Sequence, residues 1–188
     1  AELKCQSDVC VTSSNAVKIV KAMPKKNIFF IPDKNLGRYV AEQVPEKNVI
    51  LNHGYCPIHV KVSLEEVLQE KKSHPTALVL SHPECEENIL NISDYIGSTA
   101  EIIDFAKKSE KDEFIICTED GVEFELIKTN PNKKFYFTKT RPCCVDMKLN
   151  TLDKLLKVLE TEENPIGVDE ETRERALLPL NRMLELAK

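Results

Sequence analysis

AELKCQSDVCVTSSNA (Ala1–Ala16) and CEENILNISDYIGSTA (Cys85–Ala100) align without a gap, Ser14 on Ser98 and Ala16 on Ala100. Both stretches read as a short helix, a short strand, a hydroxyl-bearing loop and a second helix. The correspondence continues downstream. FFIPDKN (Phe29–Asn35) falls on IICTEDG (Ile115–Gly121), which sets Asp33 against Glu119. NVILNHGYC, ending at Cys56, falls on KKFYFTKTRPCC, ending at Cys143 and Cys144. Each copy therefore closes in the order strand, loop, cysteine, and the chain reads as a tandem of two α/β units.

Strands are expected at Asp8–Val11, Ile28–Ile31, Val49–Leu51, Ala77–Leu80, Asp94–Ile96, Phe114–Cys117 and Lys134–Phe137. They are short and rich in Val, Ile and Phe. Helical patterns occupy Ala16–Ala22, Leu36–Val44, Leu64–Lys72, Thr99–Lys108, Val122–Thr129 and Leu152–Leu159, and Asp169–Lys188 reads as one final helix. Strand and helix in alternation predict a parallel α/β fold. The boundaries expected are 1–74, 75–160, and a C-terminal linker and helix over 161–188. The second copy opens with ALVLSHPE (Ala77–Glu84), for which the first copy has no counterpart. Its opening strand is expected upstream of Ala1, and a parallel sheet lacking that strand carries unpaired backbone groups. A further piece, either an N-terminal portion or a second polypeptide, is expected to complete it.

Composition narrows the class. Hydrophobic residues make up 41% and charged residues 30% of the 188, as in ordinary globular proteins. The net charge of -5 argues against a nucleic-acid-binding surface. No run approaches a membrane span, and no signal-peptide pattern opens the chain, so a cytoplasmic protein is expected. The seven cysteines are an odd number and contain no CxxC pair, which leaves neither a disulfide framework nor a zinc ribbon. Cys5, Cys10 and Cys117 read as small buried apolar residues. Cys56, Cys85, Cys143 and Cys144 stand beside Pro, Gly or His in loops.

Several residues offer chemistry. One cysteine per unit at the same place, Cys56 and either Cys144 or Cys143, suits a shared metal centre. Two thiolates fall short of the usual four for a [4Fe–4S] cluster. A third from elsewhere would leave one iron open as a Lewis acid. The alternative is a pair of structural loop cysteines. His59 follows Cys56 by three residues and could join it as a zinc ligand, bind substrate, or simply begin a helix. His82 and Glu84 flank Pro83 as an acid–base arrangement, unless Glu84 only favours a helix start. VTSSNA (Val11–Ala16) and IGSTA (Ile96–Ala100) offer hydroxyls and N–H groups to an anion, or only cap helices.

These motifs together resemble the quinolinate synthase A family. SDVCVTSSNAVKIV (Ser7–Val20), IFFIPDKNLGRYVA (Ile28–Ala41), GYCPIH (Gly54–His59), SHPEC (Ser81–Cys85), DYIGSTAEII (Asp94–Ile103) and CCVDMK (Cys143–Lys148) match its motifs in order. The resemblance implies three small three-layer α/β/α domains with parallel sheets around a pseudo-threefold axis, two of which lie in this chain. It implies a [4Fe–4S] cluster held by one Cys per domain: Cys56, Cys144, and a third from an absent N-terminal portion. Cys85 would not be a ligand. His82, Glu84 and His59 would be catalytic, and Ser14, Ser98 and Thr99 would hold substrate carboxylate or phosphate.

The implied reaction condenses iminoaspartate with dihydroxyacetone phosphate to quinolinate in de novo NAD biosynthesis. An aspartate-oxidising enzyme is an expected partner; nucleic acid and membrane are not. The chain alone is expected to be inactive. Two other readings remain: a carboxylate- or phosphate-binding α/β module without catalysis, and a zinc hydrolase using Cys56 and His59.

Overall fold

A computed structural model describes every residue from Ala1 to Lys188. The elements, in chain order, are α1 (Glu2–Cys5), α2 (Ala16–Ala22), β1 (Asn27–Phe30), α3 (Lys34–Gln43), β2 (Asn48–Leu51), α4 (Leu64–Ser73), β3 (Leu78–Ser81), α5 (Glu87–Leu90), β4 (Tyr95–Ile96), α6 (Thr99–Lys108), β5 (Glu113–Cys117), α7 (Glu123–Thr129), β6 (Lys134–Tyr136), α8 (Leu152–Thr161) and α9 (Glu170–Leu186). Contacts group Met23–Cys143 as one compact unit and Ala1–Ala22 with Cys144–Lys188 as another.

The Met23–Cys143 unit holds every strand, and every pairing is parallel. β1 pairs with β2, and a separate sheet runs β4-β3-β5-β6. The larger sheet is covered on both faces. Along β5, Phe114 and Ile116 enter one core with Leu80, Ile102, Ala106 and Leu126. Ile115 and Cys117 enter another with Val79, Val67, Cys85 and Ile89. Alternate side chains point to opposite faces of a strand, so EFIIC serves two cores at once. The larger sheet thus lies between α4 and α5 on one side and α6 and α7 on the other.

The smaller sheet is covered by α3 on one side. Leu36 and Val40 are buried there, and Gly37 allows the close approach. A Cβ at Gly37 would stand 2.7 Å from Leu51 Cδ2 and 2.9 Å from Phe30 Cδ1. On the other side Phe29 stays 65% and Ile50 50% exposed.

The unit formed by Ala1–Ala22 and Cys144–Lys188 is helical. Residues Asp8–Val11, expected to be a strand, do not form one. The Cys10 N–H instead donates to the Pro179 carbonyl in α9 at 3.0 Å. Cys5 and Cys10 are partly exposed rather than buried; the Cys5 thiol donates to the Thr172 carbonyl at 3.4 Å. Cys117 is fully buried, as expected. Cys85 is fully buried too, despite its loop-like surroundings, and its thiol donates to the Cys117 carbonyl at 3.3 Å. No helix is long and apolar enough to cross a membrane.

Candidate metal centre and acid–base cluster

Four strand ends of the Met23–Cys143 unit supply the site. Asp33 follows β1, Cys56 follows β2, His82 follows β3 and Thr118 follows β5. Parallel sheets bind ligands beyond the carboxyl ends of their strands. The register pairs Ser81 with Cys117, so His82 and Thr118 leave the sheet side by side. The His82 N–H donates to the Cys117 carbonyl at 3.1 Å.

Cys56, His59 and Glu84 converge, with their ligand atoms within 4.8 Å of one another. His59 Nδ1 lies 3.0 Å from Glu84 Oε2 and 3.2 Å from Cys56 Sγ. Its Nε2 lies 3.0 Å from the Thr118 hydroxyl. A carboxylate can only accept, so His59 Nδ1 carries the proton, and in the neutral ring Thr118 donates to Nε2. The His59 and His82 rings stack, with centroids 4.4 Å apart and planes 20° from parallel.

Glu84 Oε2 lies 3.8 Å from His82 Nδ1, so its close partner is His59 rather than its sequence neighbour. The Glu84 N–H donates to His82 Nδ1 at 3.3 Å. That contact occupies the Nδ1 lone pair and places the proton of neutral His82 on Nε2. Burial, with His59 beside it, pushes the His82 imidazole down to about 4. Burial opposes ionisation of Glu84, but the hydrogen bond from His59 and the electrostatic interaction with the adjacent imidazoles hold it below the ordinary carboxylate range. Burial pushes the Cys56 thiol up and raises Asp33 as well, against the N–H groups of Leu36 and Cys56. The centre therefore sets an ionised carboxylate, a neutral imidazole and a protonated thiol side by side at neutral pH.

The donor set fits a metal. A thiol kept protonated by burial exchanges its proton for a metal ion, and Cys, His and carboxylate suit both iron and zinc. A second group, Glu119, Asp120 and Cys143, also brings its ligand atoms within 4.8 Å.

The other expected residues are placed as follows. Ser98 is buried at the N-cap of α6 in a capping box: its hydroxyl lies 2.6 Å from Glu101 Oε2, which also accepts from the Ser98 N–H at 2.8 Å. Thr99, one residue on, is exposed. Ser14 is exposed, 2.9 Å from the Thr12 hydroxyl. Ser14 and Cys144 belong to the Ala1–Ala22 and Cys144–Lys188 unit. Thr118 was not anticipated. Its place, one residue past β5 as His82 is one past β3, is the pattern that identifies it.

The sequence profile described as Quinolinate synthetase A protein matches residues 1–185. The chain belongs to the quinolinate synthetase A family. It is 51% identical over 187 residues to a quinolinate synthase of Fusobacterium nucleatum, covering 100% of this chain and 62% of the relative. It is 50% identical over 186 residues to one of Caldicellulosiruptor bescii, covering 99% of this chain and 61% of that one. For one of Clostridioides difficile the identity is 46% over 188 residues, with 100% and 62% covered. The chain thus spans about three-fifths of the length of these relatives. Family membership agrees with the order of motifs and with the α/β architecture.

Proposed function

We propose that the full-length protein is a cytoplasmic quinolinate synthase, condensing iminoaspartate with dihydroxyacetone phosphate in de novo NAD biosynthesis. The observation that carries this reading is the convergence of Cys56, His59 and Glu84, with His82 stacked on His59, in a family member. In this reading 1–74 and 75–160 are two of three repeated domains, and 161–188 packs back on them. Cys56 and Cys144 hold a [4Fe–4S] cluster with a third cysteine outside these 188 residues. Bound there, the cluster supplies a Lewis-acidic iron for substrate oxygen or nitrogen.

This chain's own side chains do the rest. His82 offers the proton on Nε2, because the Glu84 backbone holds Nδ1. Glu84, ionised, takes a proton from substrate and is steadied by His59. Thr118 fixes the His59 ring from its far nitrogen. Ser14 and Thr99 meet substrate carboxylate or phosphate as exposed hydroxyls. Ser98 joins them only by giving up Glu101. An aspartate-oxidising enzyme would supply the imine.

The test is iron, acid-labile sulfide and quinolinate formation in anaerobically prepared full-length protein, beside Cys56→Ser and Cys144→Ser. About four iron and four sulfide per chain, lost in either variant, is the expected result. His82→Gln and Glu84→Gln should keep the cluster and lower kcat by about 10²- to 10⁴-fold. The Cys56, His59 and Glu84 triplet also suits a zinc hydrolase. One zinc and no sulfide would select that reading and sink the cluster.

A further inference from the structure

The loop that carries Cys56 is tied to the loop after β1 at several points. The Asn52 N–H donates to the Phe30 carbonyl at 3.2 Å, and the Asn52 side-chain amide donates to the Pro32 carbonyl at 3.1 Å. The Lys34 N–H donates to the Gly54 carbonyl at 2.8 Å. A Cβ at Gly54 would stand 2.4 Å from the Pro32 oxygen, so only glycine permits this approach. Asp33, 5% exposed, closes the assembly with both carboxylate oxygens. Oδ1 accepts from the Leu36 N–H at 2.8 Å and caps α3. Oδ2 accepts from the Cys56 N–H at 2.6 Å, a short charge-assisted bond.

Of this construction, the backbone tie has a counterpart in the aligned second stretch. Glu119, the counterpart of Asp33, accepts from the Gly121 N–H at 2.7 Å. The next residue, Asp120, donates its N–H to the Pro142 carbonyl at 3.0 Å, as Lys34 does to Gly54. Cys56 stands two residues after Gly54, and Cys144 stands two residues after Pro142. The backbone ties thus register Cys144, not Cys143, with Cys56.

We infer that Asp33 is a positioning residue for the metal-binding cysteine: one carboxylate oxygen starts α3 and the other fixes the backbone from which the Cys56 thiol projects. This rests on Cys56 being a cluster ligand. The two roles of Asp33 are separable. Asn and Ser cap helices about as well as Asp, but Asn offers an N–H₂ group where Oδ2 accepts, and Ser is too short to reach Cys56.

The experiment compares full-length, anaerobically reconstituted protein with Asp33→Asn, Asp33→Ser, Cys56→Ser and Ser63→Ala. Ser63→Ala removes another helix cap of the same unit, that of α4. The readouts are thermal midpoint, rate of iron release to a chelator, and the electron paramagnetic resonance of the reduced cluster. Asp33→Asn and Asp33→Ser should load iron, release it at least about tenfold faster, and shift the resonance. Ser63→Ala should match the parent in both. Release and resonance unchanged in Asp33→Asn and Asp33→Ser, or faster release only in proportion to lost thermal stability as in Ser63→Ala, would overturn the inference. Iron retained in Cys56→Ser would instead overturn the ligand assignment beneath it.

Discussion

Phe29 and Ile115 fall at the same position when the two stretches of sequence are aligned, yet Phe29 is 65% exposed and Ile115 not at all. Their neighbours Phe30 and Ile116 are both buried. The two strands are equally apolar, so apolarity did not decide which side chain went inside. Neighbours decided it. β5 has β3 and β6 on its flanks and helices on both faces, whereas β1 has β2 and α3. A strand pattern reports what a segment can bury; the elements around it determine what it does bury.

The largest effect that tests this contrast is Ile115→Ala. It should cost about 3 to 4 kcal/mol, as expected for a large aliphatic residue in a closed core. Phe29→Ala should change stability by less than about 1 kcal/mol. Denaturant midpoints of the two variants measure the difference, and equal losses would break it.

His82 sharpens the contrast at the crevice of the larger sheet. Its imidazole is held near 4 in the fold and titrates near 6.5 when unfolded. The fold therefore favours the neutral ring. That stability is complete above about pH 6.5 and declines as pH falls toward about 4. The full difference is up to about 3 kcal/mol. His82→Gln should flatten the part of the stability–pH curve that the parent loses over that window, in chemical denaturation at stepped pH. A ring titrating near 6.5 by NMR would refute the burial argument.

Gly37→Ala gives a smaller effect than Ile115→Ala or the His82 titration and tests the smaller sheet. In a loose helix interior alanine gains about 1 kcal/mol over glycine. Against Leu51 and Phe30 the added methyl has too little room, and overpacking costs about 1 to 3 kcal/mol. A net loss of about 1 kcal/mol is expected by thermal unfolding. A gain would mean that α3 rides loosely on β1 and β2.

The pattern of short apolar runs located the strands of both sheets, although only the larger sheet is buried between helices. It misplaced Asp8–Val11, since a strand exists only if another strand accepts its hydrogen bonds, and here α9 takes the Cys10 N–H through Pro179. The candidate site was legible where chemistry-bearing residues follow strands, as Cys56 and His82 do. The partner of Glu84 was not. Adjacency pointed to His82, whereas His59, brought in across the crevice, stands closer. Thr118 escaped because threonine after a strand is unremarkable until a histidine faces it.

The burial of Cys85 and Cys117 has a consequence at the bench. The seven cysteines form no disulfide, but burial raises the Cys85 thiol well above its ordinary range and pushes Cys117 up to about 12. Neither ionises near neutrality, so an alkylating reagent should reach them only after unfolding, while exposed Cys143 reacts early. The pair becomes an internal clock of integrity: while they stay unlabelled, a reagent in solution meets five thiols rather than seven.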